Sequence, residues 1–211
     1  MENIDKIFYI NLNKRTDRKK QIDQELEKMG FDKSIIERFP AVEMGQIGCI
    51  QSHISIVKIA KERHYRNIII LEDDFHFIVS RETLDNELAT FFGKKIEYYI
   101  LMLSYLCYGK KEWDEQLSIG INCQDASGYI VNESAYDLLI YWLSIGSFQL
   151  TQTGQHWKYM NDQIWKKMQG EDKWFLLNRK IGEQNGSVSD LANTEVFLEN
   201  SKIVIKEKVN Q

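Results

Sequence analysis

The sequence predicts an α/β domain whose central sheet is mainly parallel and flanked by helices. Three observations carry this. Short aliphatic runs alternate with segments of helical periodicity through the first half of the chain, in the order β-α-β-α-β-α-β. The run Ile68-Ile69-Ile70-Leu71 is apolar without interruption, as in a strand covered on both faces. With 211 residues and 43% apolar content there is enough material for one sizeable core.

Each element has its own signal. Residues 6–12 form a short run rich in aromatic and β-branched side chains and read as a buried first strand. Residues 13–16 turn the chain. From Asp17, the positions Ile22, Leu26 and Met29 recur at helical spacing, and Gly30 stands where a helix C′ residue belongs. A second strand is expected over 35–39, ended by Pro40, the only proline. Gly45 and Gly48 flank a helix start, after which Ile50, His53, Ile54, Val57, Ala60 and Lys61 share a face. Residues 67–71 are the clearest strand. A helix follows over 81–92, a buried strand over 97–105 and a short strand over 128–131. An amphipathic helix is expected from 133 to about 143, with Tyr136, Leu139, Ile140 and Leu143 as its core stripe. Residues 161–168 read as a helix, 173–177 as a strand, and Ile203-Val204-Ile205 as a last strand followed by six mostly polar residues.

Composition excludes several classes. Charged residues make up 27% and proline and glycine are few, which argues against disorder. A net charge of −4 provides no general attraction to nucleic acid or an anionic membrane, although Lys14-Arg15 and Arg18-Lys19-Lys20 form a local basic group. No run of 18 apolar residues exists to span a bilayer, and the charged N-terminus does not resemble a signal peptide. The three cysteines, Cys49, Cys107 and Cys123, are odd in number and unpaired in spacing. That fits a reducing compartment, and no zinc pattern can be built from them. A cytoplasmic protein is expected.

The chemistry centres on Glu72-Asp73-Asp74, at the end of the strand expected to be central. Ligands of open α/β sheets bind beyond the carboxyl ends of strands. Three adjacent carboxylates repel one another unless a cation neutralises them, and Mg²⁺ or Mn²⁺ characteristically bridges carboxylates to a diphosphate. Alternation along an extended chain would put Glu72 and Asp74 on one face and Asp73 on the other. A solvated acidic turn is the competing reading, and the cluster alone does not decide between them.

Three segments, in order, resemble glycosyltransferase family 25, the family of bacterial lipooligosaccharide galactosyltransferases and collagen galactosyltransferase relatives. Tyr9-Ile10-Asn11-Leu12-Asn13-Lys14-Arg15-Thr16-Asp17-Arg18 is similar to its INL-x-x-R-x-D-R opening. Gly45-Gln46-Ile47-Gly48-Cys49-Ile50-Gln51-Ser52-His53 is similar to its G-x-x-G-C-x-x-S-H helix start, and Ile70-Leu71-Glu72-Asp73-Asp74 to its ILEDD. Ala126-Ser127-Gly128-Tyr129-Ile130-Val131, followed by Ala135, resembles its glycine-tyrosine strand and helix. Gln184 with Ser189-Asp190 resembles its closing segment more loosely, without the expected prolines.

The resemblance implies a GT-A-like fold, a nucleotide-diphosphate sugar donor and a divalent ion, Mn²⁺ or Mg²⁺, at a D-x-D equivalent; a UDP-sugar donor and a glycan or glycolipid acceptor are expected. By analogy Asp74 would bind the metal with Glu72, while Glu72 or Asp73 contacts ribose or a metal-bound water. Tyr9, Asn11, Leu12, Arg15, Asp17 and Arg18 would hold base, ribose and diphosphate, since amides and carboxylates suit the former and guanidinium suits phosphate. A helix cap at Thr16 or Asp17 with a solvated basic turn is the alternative there. Ser52 would face the donor phosphates from a helix N-terminus, whereas His53 serves equally well as a packing histidine and Cys49 as a small hydrophobe. Asp162, beside His156, Trp157, Tyr159 and Trp165, is the first choice of general base, with Asp125 and Asp190 as competitors; His156 or Asp190 could complete the metal shell.

The expected organisation is one domain over 1–211, with a nucleotide-sugar-binding half at 1–110 and an acceptor-side half at 111–211, or such a domain cut from a longer chain. The expected reaction is inverting hexosyl transfer. A sugar nucleotidyltransferase is the rival enzyme, disfavoured because residues 11–18 contain no glycine; a carbohydrate-binding or assembly module without activity is the rival outside catalysis.

Overall fold

The computed structural model describes residues 3–185 in full, together with the backbone of two later strands. Its elements are β1 (Lys6–Asn11), α1 (Thr16–Lys28), β2 (Ile36–Pro40), α2 (Gly45–Glu62), β3 (Asn67–Glu72), β4 (Phe75–Phe77), α3 (Arg81–Gly93), β5 (Ile100–Met102), β6 (Leu106–Glu112) and β7 (Leu117–Gln124). There follow β8 (Gly128–Asn132), α4 (Tyr136–Thr153), the short α5 (His156–Tyr159) and α6 (Asn161–Ile164), β9 (Trp174–Leu177), β10 (Gly182–Gln184), β11 (Thr194–Glu199) and β12 (Lys202–Glu207).

Eight strands form one sheet in the order β2-β1-β3-β8-β5-β9-β7-β6. β2, β1 and β3 run parallel; β8 runs against both its neighbours β3 and β5; β9 is parallel to β5, and the β6–β7 hairpin closes the far edge. Six strands therefore point one way, and β8 and β7 point the other. The mainly parallel α/β sheet expected from the sequence is present. What the pattern missed is the reversal of β8, because a strand buried on both faces looks the same in either direction.

β3 shows why the sheet sits in the middle. Ile68 and Ile70 pack into the cluster shared with α2 and α4, and Ile69 and Leu71 into the one shared with α1 and α3. Alternation thus feeds two apolar layers from one strand. On the first face, Ile50, Ile54, Val57 and Ala60 of α2 meet Leu139, Leu143 and Leu150 of α4. On the second, Ile22 and Leu26 of α1 join Leu84, Leu88 and Phe91 of α3.

Several boundaries differ from expectation. The strand expected over 97–105 pairs only at Ile100–Met102, and the helix from 133 continues to Thr153, where Gly154 takes a left-handed φ of 66°. The helix expected over 161–168 is α6 followed by a 3₁₀ turn. The hairpin of β6 and β7 was not expected, since its exposed, mixed-polarity outer strand carries little apolar signal. Lys61 is exposed and leaves the buried face of α2. α1 begins after Arg15 with no side-chain cap, so neither Thr16 nor Asp17 caps it. The strand expected at 203–205 lies within β12, paired to β11. Among the described residues no helix is long and apolar enough to cross a membrane.

Candidate active site

The carboxyl ends of β1 and β3 and the incoming end of β8 meet at one place. Glu72 is the last residue of β3, and its amide donates to the Ser127 carbonyl at 2.8 Å, so the strand end is tied to the segment entering β8. Asp73 and Asp74 form the turn that follows. Alternation therefore holds for Glu72 and Asp73 but stops there. Arg18 Nη1 lies 3.1 Å from Asp73 Oδ1 and 3.3 Å from Asp74 Oδ2, so these two carboxylates share one guanidinium instead of dividing between faces. Glu72 turns toward α2.

This arrangement is held by buried partners. Asn11 donates from Nδ2 to Asp73 Oδ2 at 2.7 Å, and its Oδ1 accepts from Arg38 Nε at 3.0 Å. Phe75, the next residue but one after Asp73, is wedged between Gly128 and Gly182: a Cβ on either would stand 2.2 or 2.1 Å from its ring. Both positions thus require glycine for space, and β4 and β10 close over the turn because of it. Gln184 on β10 reaches Glu72 Oε2 at 3.5 Å, and the Asn185 amide donates to the Asp74 carbonyl at 2.7 Å.

On the other side, His53 Nε2 lies 3.2 Å from Glu72 Oε1, while its Nδ1 is 2.7 Å from the Tyr129 hydroxyl. Cys49, one turn earlier on α2, donates its thiol toward the same Glu72 oxygen at 3.8 Å. The sequence offered no zinc pattern among cysteines, but the fold gathers a mixed thiol, imidazole and carboxylate group. The i, i+4 spacing of Cys49 and His53 was the available signal.

Asp162, in the first turn of α6, accepts from the Asp125 amide at 3.4 Å and from Gln163 Nε2 at 3.3 Å. Gly146 lets this segment approach: a Cβ there would stand 2.8 Å from the Tyr159 carbonyl and 2.9 Å from Ile164. Asp125 itself has a left-handed φ of 80°, and its carboxylate accepts from the Ser104 hydroxyl and, at 2.9 Å, from the Ser127 amide.

The electrostatics are those of crowded acids. Burial, then the charge of Glu72, pushes the Asp74 carboxyl up to about 7, against the opposing pull of Arg18. Burial raises Asp73 while Asn11 and Arg18 hold it back, and burial raises Asp162, with Glu72 contributing. Burial also drives the Cys49 thiol well above its usual value, with Glu72, Asp162 and Asp74 adding to the effect. Glu72 thus acts electrostatically on Asp74, Asp162 and Cys49 alike. Asp74 Oδ1 is buried with no hydrogen-bond partner among the described residues.

Other expected residues lie elsewhere or are differently engaged. The Tyr9 hydroxyl donates to Asp23 Oδ1 at 2.8 Å on the α1 side, beside a cavity of about 390 Å³ that Arg38 also lines. Leu12 supplies its carbonyl to the Arg15 amide, and Arg15 forms a forked pair with exposed Asp17 at 3.0 and 2.8 Å. Ser52 does not open a helix: α2 starts at Gly45, and the Ser52 hydroxyl donates to the Gly48 carbonyl and accepts from the Val42 amide. Trp165 is core, donating to the Cys123 carbonyl at 3.2 Å, whereas His156 and Trp157 are exposed. Ser189 and Asp190 lie outside the described residues.

Residues 39–135 match the model of Glycosyltransferase family 25 (LPS biosynthesis protein). A Drosophila melanogaster protein described as a Glycosyltransferase 25 family member is 27% identical over 104 residues, covering 35% of this chain; the chain spans only 16% of that relative's length. A glycosyltransferase involved in glycosylating the major capsid of PBCV-1 superposes with a TM-score of 0.51 at 9% identity, over 87% of this chain and 93% of that one. A197 from STIV gives 0.52 at 10% identity, over 99% and 96%. Identities this low speak for the fold alone. The resemblance noted in the sequence is supported over residues 39–135, which match the family 25 model and include the helix-start and ILEDD motifs, and the fold is the α/β arrangement of those solved structures.

Proposed function

We propose that this chain is a metal-dependent glycosyltransferase that moves a hexose from a UDP-sugar to a hydroxyl of a glycan or glycolipid. The observation that carries the reading is the carboxylate cluster where β3 ends, Glu72 with Asp74 in the turn that follows, with Asp74 Oδ1 buried and lacking a donor. A buried carboxylate oxygen with no hydrogen bond is costly unless a cation faces it, so the residues fit a hard divalent ion. Asp74 and Glu72 would hold Mn²⁺ or Mg²⁺, which when bound supplies positive charge to the diphosphate leaving group.

The chain's own groups divide the remaining work. Arg18, Asn11 and Asp73 fix the turn so that Asp74 keeps its place. Asp162 takes the proton of the acceptor hydroxyl, and its raised affinity for that proton suits a general base. Asp125 is the weaker candidate, because Ser104 and Ser127 already occupy its carboxylate. Attack on the face opposite the leaving diphosphate gives inversion. In this reading residues 1–110 bind the donor and 111–211 contribute the acceptor side.

The test is a panel of nucleotide sugars with Mn²⁺, followed by melting temperature and slow donor hydrolysis. A ligand at one hundred times its Kd stabilises by about 2.7 kcal/mol. A UDP-sugar should raise the melting point of the wild type and not of Asp74→Asn. Unchanged binding and turnover in Asp74→Asn would sink the metal assignment. A response to nucleoside triphosphates but to no UDP-sugar would replace transfer with nucleotidyl chemistry.

A further inference from the structure

Cys49 and His53 stand one turn apart on the inner side of α2, and both face Glu72 at the end of β3. His53 Nε2 and Cys49 Sγ lie 3.2 and 3.8 Å from the same oxygen, Glu72 Oε1, and the three ligand atoms fall within 4.8 Å of one another. Around a tetrahedral zinc-class ion, with bonds of about 2.0–2.3 Å, neighbouring ligand atoms sit roughly 3.3–3.6 Å apart. Two of the three spacings, 3.2 and 3.8 Å, already lie close to that range.

The supporting groups fit as well. A histidine that binds metal through Nε2 usually donates its Nδ1 proton to a fixed acceptor, which sets the tautomer. Here the buried Tyr129 hydroxyl lies 2.7 Å from Nδ1 and can serve. Asn161 Nδ2 stands 3.7 Å from Cys49 Sγ, able to donate to a thiolate. A sulfur and an imidazole select zinc-class ions over Mg²⁺ or Mn²⁺, the reverse of the carboxylates at Asp74. Glu72 belongs to both groups, through Oε1 on this side and through Oε2 on the Gln184 side.

We propose that Cys49, His53 and Glu72 form a second, zinc-class cation site, distinct in ligand chemistry from the one assigned to the donor diphosphate. On binding, the Cys49 thiol releases its proton to solvent and the sulfur bonds to the ion. A further consequence rests on the transferase reading: since Glu72 is shared, zinc and Mn²⁺-supported turnover are antagonistic.

The test titrates Co²⁺ into metal-free, reduced protein. Bound cobalt should give a sulfur-to-metal charge-transfer band in the near ultraviolet, with intense visible bands of a tetrahedral site. Both should survive in Asp74→Asn and in a Cys107→Ser/Cys123→Ser double variant, and vanish in Cys49→Ser and His53→Gln. Absence of the charge-transfer band in the wild type, or its persistence in Cys49→Ser, overturns the proposal. Because those single variants can fail to fold, a second measurement uses wild-type protein: Zn²⁺ should slow alkylation of Cys49, followed by peptide mass spectrometry, at least tenfold. An unchanged rate overturns the proposal too. Mn²⁺-dependent binding of UDP, measured in parallel, reports on the transferase reading by itself.

Discussion

The side-chain amide of Asn11 donates to Asp73 Oδ2 at 2.7 Å, joining the end of β1 to the turn after β3. The contact is buried, and Asn11 is the only amide between that carboxylate and Arg38 in this chain of contacts. Asn11→Asp keeps the shape but sets two carboxylates against each other, which cannot both ionise without cost. The variant should therefore be markedly less stable at pH 8 than the wild type and recover most of the difference at pH 5. Equal losses at both pH values in chemical denaturation would mean that the amide does not have this role.

Arg18 pairs with Asp73 and Asp74, all three side chains being about nine-tenths buried. Removing one member of a buried ion group leaves uncompensated charge and costs about 3–5 kcal/mol. Arg18→Met should lose stability on this scale in the metal-free protein, and Mn²⁺ should restore part of it. A loss under 1 kcal/mol would show that water already screens the pair.

The Asp74 carboxyl, lifted to about 7 from the ordinary carboxylate range, binds its proton more tightly folded than unfolded. Its contribution to stability is then fully present below about pH 4 and is lost as pH rises through 7. In a chelator, the melting temperature should fall more from pH 5 to pH 8 for the wild type than for Asp74→Asn. Mn²⁺ should narrow the gap. Parallel profiles for the two proteins would refute the shift.

Cys107 and Cys123 face each other across the β6–β7 hairpin, with their sulfurs 2.9 Å apart. Diamide should take two protons and two electrons from them to form an intrachain disulfide, visible by mass spectrometry as a peptide linking residues 107 and 123. Burial pushes the Cys123 thiol up to about 12, so its sulfur should not be the one that leads the attack. A cross-link through Cys49 instead would contradict the register.

The sequence disclosed the parts whose signal is local. The run at 68–71, the helical spacing of Ile22 and Leu26 and the motif order up to Asp74 were enough for the fold and for a family resemblance that the family-model match supports over residues 39–135. What it hid depends on distance along the chain. Arg18 meets Asp73 over 55 residues and Gln184 meets Glu72 over 112, and no periodicity encodes such pairs. The alternation rule failed at Asp74 because the strand stops at Glu72. Ser52 was misplaced for a similar reason: the helix begins at Gly45, seven residues earlier, so the hydroxyl falls inside it. His53 and Cys49 are ambiguous in sequence, since an inward-facing polar residue on a helix reads as packing until its partner strand is known.

The reversed strand β8 has one more effect. Tyr129 packs on the α2 side of the sheet and Ile130 on the opposite side. Deleting a single residue between Gln124 and Gly128 would exchange those two faces, presenting an isoleucine where His53 now finds a hydroxyl. The short stretch ahead of β8 is thus a ruler whose length decides which side chains of β8 meet each face of the sheet.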